Sequence, residues 1–188
     1  MPAKKVAVVI GSLRKESINR KFAHELIALA PPSLEFNIVE IGEMALYNED
    51  LEGKDVTPPQ AWTHFRQRIK EADAVLFVTP EYNRSVPAPL KNAIDIGSRP
   101  YGDSAWSGKP AGVVTVSPGA VGGFGSNHHL RQSLVFLDMP VLQQPEAYIG
   151  NAGGLLGDDG KINNDRTKEF LKKFADAFAA WVETNAKK

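Results

Sequence analysis

AVLFVTPEYNRSVPAPLKNAID, residues 74–95, is the stretch that decides the architecture. Ala74–Thr79 is apolar or small at every position, with no polar alternation. Such a run reads as a parallel strand covered on both faces. Pro80 closes it by fixing φ and removing a donor. Glu81, Tyr82 and Asn83 are then displayed on a stiff turn, Pro87 and Pro89 hold its exit, and Leu90–Ile96 continues at helical spacing. A buried strand, a rigid turn and a helix make half of a βαβ unit. A rigid turn at a strand's carboxyl end is also a platform for a ligand.

The same pattern repeats outward. Lys5–Ile10 (KVAVVI) and Ala111–Val116 (AGVVTV) are further apolar strands, Leu34–Ile41 alternates, and Val141–Tyr148 contains a fifth strand. Between them lie helices. Ser17–Ala30 sets Ile18, Phe22, Leu26 and Leu29 near one stripe. Pro59–Ala72 and Ser126–Leu137 follow, and Asp165–Glu183 closes the chain with Phe170, Phe174, Phe178 and Trp181 on one face. This alternation predicts a single α/β domain over residues 1–188: a doubly wound, five-stranded parallel sheet in the order 2-1-3-4-5. The Gly/Asp-rich segment 151–165 reads as a mobile connection rather than a site.

Composition removes whole classes of function. Lys plus Arg and Asp plus Glu number 22 each, so the formal net charge is zero. No global field favours nucleic acid or an anionic membrane. The chain has no cysteine. Thiolate nucleophiles, CxxC redox pairs and Cys-ligated zinc or iron–sulfur centres are excluded, and any redox chemistry must use a bound cofactor. The apolar run at the start is too short for a signal peptide or a membrane span, which points to the cytoplasm.

In a sheet of this order, ligands sit beyond the strand carboxyl ends where the order reverses. The loops after strands one, three and four should converge there: 12–17, 80–89 and 117–126. The first, GSLRKESIN, offers hydroxyls from Ser12 and Ser17, the Asn19 amide, the Arg14 guanidinium and unpaired N–H groups at a helix start, a set suited to a phosphate monoester. The plainer reading makes Ser17 an N-cap and Arg14 a solvated charge. GxGxxG, GxxxxGK[ST] and GxSxG are all absent, so the serines read as phosphate donors rather than nucleophiles. In the second loop Tyr82 can pack against a flat ring, Asn83 carries both donor and acceptor, and Glu81 suits an N-cap or hinge anchor. The third, SPGAVGGFGSNHHLRQ, has glycines that allow close backbone approach. His128 and His129 are adjacent, so on a helix they diverge by roughly 100° and do not form a paired metal site; no metal is expected.

A phosphate cradle, a ring platform and a glycine loop at one sheet edge describe a flavin mononucleotide site. GSLRKESINRKFA, TPEYNRSVPAPLKNAID and HHLRQSLVFLD with the following QPE resemble the NADPH-dependent FMN reductase family, and within it the bacterial quinone and chromate reductases. The resemblance runs from the first strand to about Tyr148, and the closing helix fits as well. It implies a flavodoxin-like three-layer αβα sandwich and tightly bound FMN. It also implies ping-pong hydride transfer from NADPH or NADH through flavin N5 to small acceptors such as quinones, chromate or azo compounds. By position, Ser12, Arg14, Ser17, Ile18 and Asn19 would hold the phosphate. Pro80, Glu81, Tyr82, Asn83 and Arg84 would hold the isoalloxazine, and Ser117, Pro118 and Gly119 would line its ribityl side. Arg84 stands where relatives often carry an aromatic or small residue, and with Arg99 and Tyr101 it is a candidate for the substrate rim. The resemblance further implies a homodimer or a dimer of dimers (homotetramer), with His128, Arg131 and Glu146 as candidate polar contacts. The rival readings are a flavodoxin-type electron carrier, which is ordinarily strongly acidic, and a flavin-free regulatory domain.

Overall fold

The five apolar runs form one parallel sheet in the order β2-β1-β3-β4-β5 in a computed structural model that describes residues 2–53 and 55–186. Its strands are β1 (Lys4–Ile10), β2 (Leu34–Val39), β3 (Ala74–Thr79), β4 (Ala111–Val116) and β5 (Ala147–Ile149). The helices are α1 (Ile18–Leu29), α2 (Gln60–Lys70), α3 (Ala88–Gly97), α4 (Phe124–Phe136) and α5 (Asp165–Asn185). β3 and β4 are buried at every position, as their continuous apolar character requires.

Pleating divides the core. Val6, Val8 and Ile10 of β1 face Phe22 and Leu26 of α1 and Leu171, Phe174, Phe178 and Val182 of α5. Ala7 and Val9 face the other way, into a layer built from Trp62, Phe65 and Ile69 of α2, Leu90 of α3, and Leu130 and Leu134 of α4. This is the expected three-layer sandwich of the flavodoxin-like type.

Several boundaries differ from expectation, each for a local reason. β5 is short because Val141 makes only an isolated bridge to Ala111, and Pro140 and Pro145 flank the stretch between without N–H groups to donate. α4 begins two residues early, after Gly122 and Gly123 at φ 67° and 81°. Segment 151–165 is a packed connection and not a loose one. It contains a short 3₁₀ turn, Ala152–Leu155, and buries Ala152 and Ile162. The Ile162 N–H donates to the Glu25 carboxylate at 3.2 Å.

Candidate functional site

The loops after β1, β3 and β4 meet at the carboxyl edge, on either side of the point where the strand order reverses. β1 lies between β2 and β3, so its following loop enters a crevice that no crossover covers. Gly11 packs so tightly on β3 that an added Cβ would fall 2.2 Å from Thr79 Oγ1.

Ser17 is the N-cap of α1, as the plainer reading had it, yet that role leaves it a donor. Its Oγ accepts from the Arg20 N–H at 3.2 Å, so its own O–H remains free to point outward. The N–H groups of Ile18 and Asn19 lie in the first helical turn, where no intrahelical acceptor exists. Ser12 is buried at the same edge. Arg20 is held bidentately by Glu40 at 2.9 and 2.8 Å. Arg14 is exposed and makes no ion pair among the described residues, so it is the guanidinium at liberty to bind an anion.

Asn19 departs from its expected role. Its amide group donates inward to the Val116 carbonyl at 3.3 Å, tying the start of α1 to the end of β4. Its Oδ1 is buried without a partner. As an acceptor this oxygen would not bind a phosphate dianion directly, which leaves the main-chain N–H of Asn19 as the group available to an anion.

Tyr82–Ser85 closes a tight two-residue turn, with Tyr82 N–H to Ser85 O at 3.1 Å and Ser85 N–H to Tyr82 O at 3.0 Å. Asn83 and Arg84, its central residues, both have positive φ, 51° and 64°, the requirement of a type I′ turn. Tyr82 is 48% exposed, so part of its surface is available to a ligand. Two contacts brace this turn against α4: the Glu81 carboxylate accepts from the Ser126 N–H at 3.0 Å, and Ser85 Oγ meets His129 Nδ1 at 3.0 Å. Of the two roles that suit Glu81 in sequence, an N-cap or a hinge anchor, the structure shows a carboxylate accepting from the first turn of α4. Arg84 reaches back to the Glu81 carboxylate at 3.3 Å.

In the third loop Ser117 Oγ accepts from the Gly119 N–H at 3.1 Å, and Pro118 and Gly119 are exposed at the edge. The later glycines serve close packing within the protein. An added Cβ on Gly125 would lie 2.7 Å from the Arg84 carbonyl and 2.9 Å from Glu81 Oε2. The Ser126 hydroxyl beside it is buried and unpartnered.

Two expected rim residues are not brought here. Arg99 and Tyr101 follow the far end of α3, about 15 Å of helix from Pro87. The Arg99 guanidinium lies 4.0 Å over the Tyr101 ring and donates to its hydroxyl at 3.0 Å. Within the chain they pair with each other. His128 and His129 diverge as expected, and no group of three metal-ligating side chains exists among the described residues. His128 Nε2 lies 3.0 Å from the Tyr148 hydroxyl. Burial and a hydrogen bond to Glu146 push that phenol up to about 12. Arg131 serves its own chain, donating to Asn127 Oδ1 at 2.7 Å and the Leu142 carbonyl at 2.9 Å.

Sequence reasoning missed the braces from α4. Glu81 and Ser126 are 45 residues apart and Ser85 and His129 are 44 apart, with no local pattern linking them.

The fold defines a class, the flavodoxin-like proteins, with the loops after β1, β3 and β4 gathered at the carboxyl edge. The comparisons resolve the class further. The model of the NADPH-dependent FMN reductases matches residues 4–154. A quinone reductase of Pseudomonas putida is 66% identical over 180 residues, 96% of this chain and 95% of its own. A 2-hydroxy-1,4-benzoquinone reductase of a Burkholderia species is 44% identical, over 96% of this chain and 97% of its own. The solved structure of FerB, a flavoenzyme NAD(P)H:(acceptor) oxidoreductase from Paracoccus denitrificans, superposes with a TM-score of 0.91 at 41% identity, covering 98% of this chain and all of that one. The chain belongs to the NADPH-dependent FMN reductase family. It is an NAD(P)H-dependent flavin oxidoreductase whose cofactor is FMN. The residues present fit that group: first-turn N–H groups, serine hydroxyls and an Arg14 with no ion pair among the described residues suit a phosphate, and the half-exposed Tyr82 suits a ring.

Proposed function

We propose that the protein reduces quinones with electrons from NAD(P)H, and that chromate and azo compounds are further acceptors. The observation that carries the reading is the convergence of the anion cradle at Ser12–Asn19 with the half-exposed Tyr82 turn at one sheet edge. The names of the 66% and 44% identical relatives support quinones as the acceptor class. Bound FMN supplies the two-electron chemistry, taken from NAD(P)H and given to the acceptor. The protein contributes position. Ser12, Ser17, Arg14 and the N–H groups of Ile18 and Asn19 hold the phosphate. Pro80–Arg84 holds the ring, and Ser117–Gly119 lines its approach. Tyr82 leaves one face open, so donor and acceptor occupy the same space in turn.

Arg84 is exposed at the mouth and attracts negatively charged acceptors. Arg84→Ala is expected to lower kcat/KM severalfold for chromate or a sulfonated azo dye and to change it little for a neutral quinone; equal losses would refute the role. We place the enzyme in the cytoplasm, where NAD(P)H is held, and no helix among the described residues is long and apolar enough to cross a membrane.

The deciding experiment is the visible spectrum of the purified protein, followed by anaerobic addition of NADPH. Flavin bands that bleach within the mixing time, with quinone then restoring them, establish the activity. Bands that persist under both NADPH and NADH identify an electron carrier instead. A protein that gains no bands on adding FMN overturns the site.

A further inference from the structure

We propose that Glu81 is a positioning residue that lowers the reduction potential of the bound FMN, and that Arg84 partly offsets it. The inference rests on the reading above that the Pro80–Arg84 turn faces the isoalloxazine.

The Glu81 side chain is only 12% exposed, although it springs from an exposed turn. Its two oxygens serve different elements. Oε2 accepts from the Ser126 N–H at 3.0 Å, inside the first turn of α4. Oε1 lies 3.3 Å from Arg84 Nη1. Gly125 makes this possible, because any Cβ there would meet Glu81 Oε2 at 2.9 Å. The second brace, Ser85 to His129, lies one helical turn further on. A strut alone would be satisfied by a neutral amide, which also accepts from an N–H. The charge therefore has its own consequence.

The amino end of a helix carries partial positive charge and favours anions. Here the Glu81 carboxylate already occupies that end of α4, so the positive end is not left to stabilise an electron-rich ring. Reduced FMN carries more negative charge than oxidised FMN. A fixed anion held in a partly buried position next to the ring disfavours the reduced form, because local charges act strongly where water is scarce. Glu81 thus makes the flavin a stronger reductant. Arg84 is 74% exposed at the same carboxylate, so it compensates only in part.

The two charges predict opposite signs, which a purely structural brace does not. Glu81→Gln keeps an acceptor for Ser126 and removes the anion. Its FMN potential, measured by spectroelectrochemical titration of the holoprotein, is expected to rise. The expected change is about tenfold in the ratio of oxidised to reduced FMN dissociation constants, equivalent to about 30 mV for a two-electron couple. Arg84→Ala and Arg84→Gly are expected to lower the potential. Shifts of the same sign in the Glu81 and Arg84 variants, or none in either, overturn the proposal. If Glu81→Gln does not fold or does not retain FMN, the Arg84 variants decide alone: a potential that falls supports the proposal, and one that rises or stays overturns it. Tyr82→Ala separates this failure from failure of the underlying reading. If it weakens FMN binding while the potentials do not shift in opposite directions, the turn faces the flavin but Glu81 does not tune it. If it leaves FMN binding unchanged and the potentials also stay put, the turn is not at the flavin and both readings fall.

Discussion

Arg84 occupies a backbone conformation, φ 64°, that an L side chain adopts at a cost. Left-handed backbone disfavours a residue with a Cβ by about 1–2 kcal/mol, and Asn followed by Gly is the ordinary solution for a type I′ turn. The chain tolerates strain at the tip of this turn, and what it gains is an exposed guanidinium there. Arg84→Gly should relieve the strain. Part of the gain is offset by the greater freedom of Gly in the unfolded chain, so the folded apoprotein is expected to gain about 0.5–1 kcal/mol in urea denaturation. Tyr148 gives a second residue-scale test. Its folded value of about 12 lies above the ordinary 10.0 through burial and the Glu146 hydrogen bond. The unfolded chain therefore releases this proton first as pH rises, and the stabilisation is complete below about pH 10 and lost between there and about pH 12. Stability measured across that window should fall less steeply in Tyr148→Phe than in the parent.

Elements show what a sequence can and cannot reveal about this site. β3 and β4 were legible to the residue, because a strand buried on both faces has no polar position to blur its ends. The three loops were legible as a group, since the strand order alone sends them to one edge. The roles within them were only partly legible. Ser17 is both the N-cap and an available donor, so the two readings of it were never exclusive. The Asn19 amide holds the end of β4, a contact 97 residues away that no local pattern encodes. Arg99 and Tyr101 follow the far end of α3 and pair with each other within the chain, a placement set by the length of that helix. The packing of α4 on the ring turn is the feature least visible in sequence, and Gly125 is its point of contact. Gly125→Ala places a methyl group against the Arg84 carbonyl, a backbone atom that can move only by distorting the turn. The substitution is expected to cost about 1–3 kcal/mol of stability and to weaken FMN binding, measured by fluorescence titration. Unchanged FMN affinity would show that α4 does not support the platform.

For the whole molecule, the open question is what covers the outer face of α4. The run LRQSLVFLDMPVL reads as core, and part of it is: Leu130, Leu134, Leu137, Met139 and Leu142 are buried. Val135 and Phe136 face outward, 74% and 83% exposed, and Phe124 is 49% exposed one end of the helix away. Phe124 packs on His128 with ring centroids 4.3 Å apart, and both approach Tyr148. Scattered exposed apolar residues are ordinary, but several large ones along one helix mark a contact surface. With a formal net charge of zero, self-repulsion does not oppose contact between two copies. We propose that a second copy covers this face, in a homodimer or a dimer of dimers. The double variant Val135→Lys, Phe136→Lys alters only side chains that the isolated chain leaves in water, so the fold of the single chain should be kept. Sedimentation velocity is expected to show the parent at a multiple of 20.5 kDa and the variant as a monomer with an unchanged circular dichroism spectrum. A variant that sediments with the parent as an oligomer would place the interface on another face, and a monomeric parent would leave α4 without a partner copy.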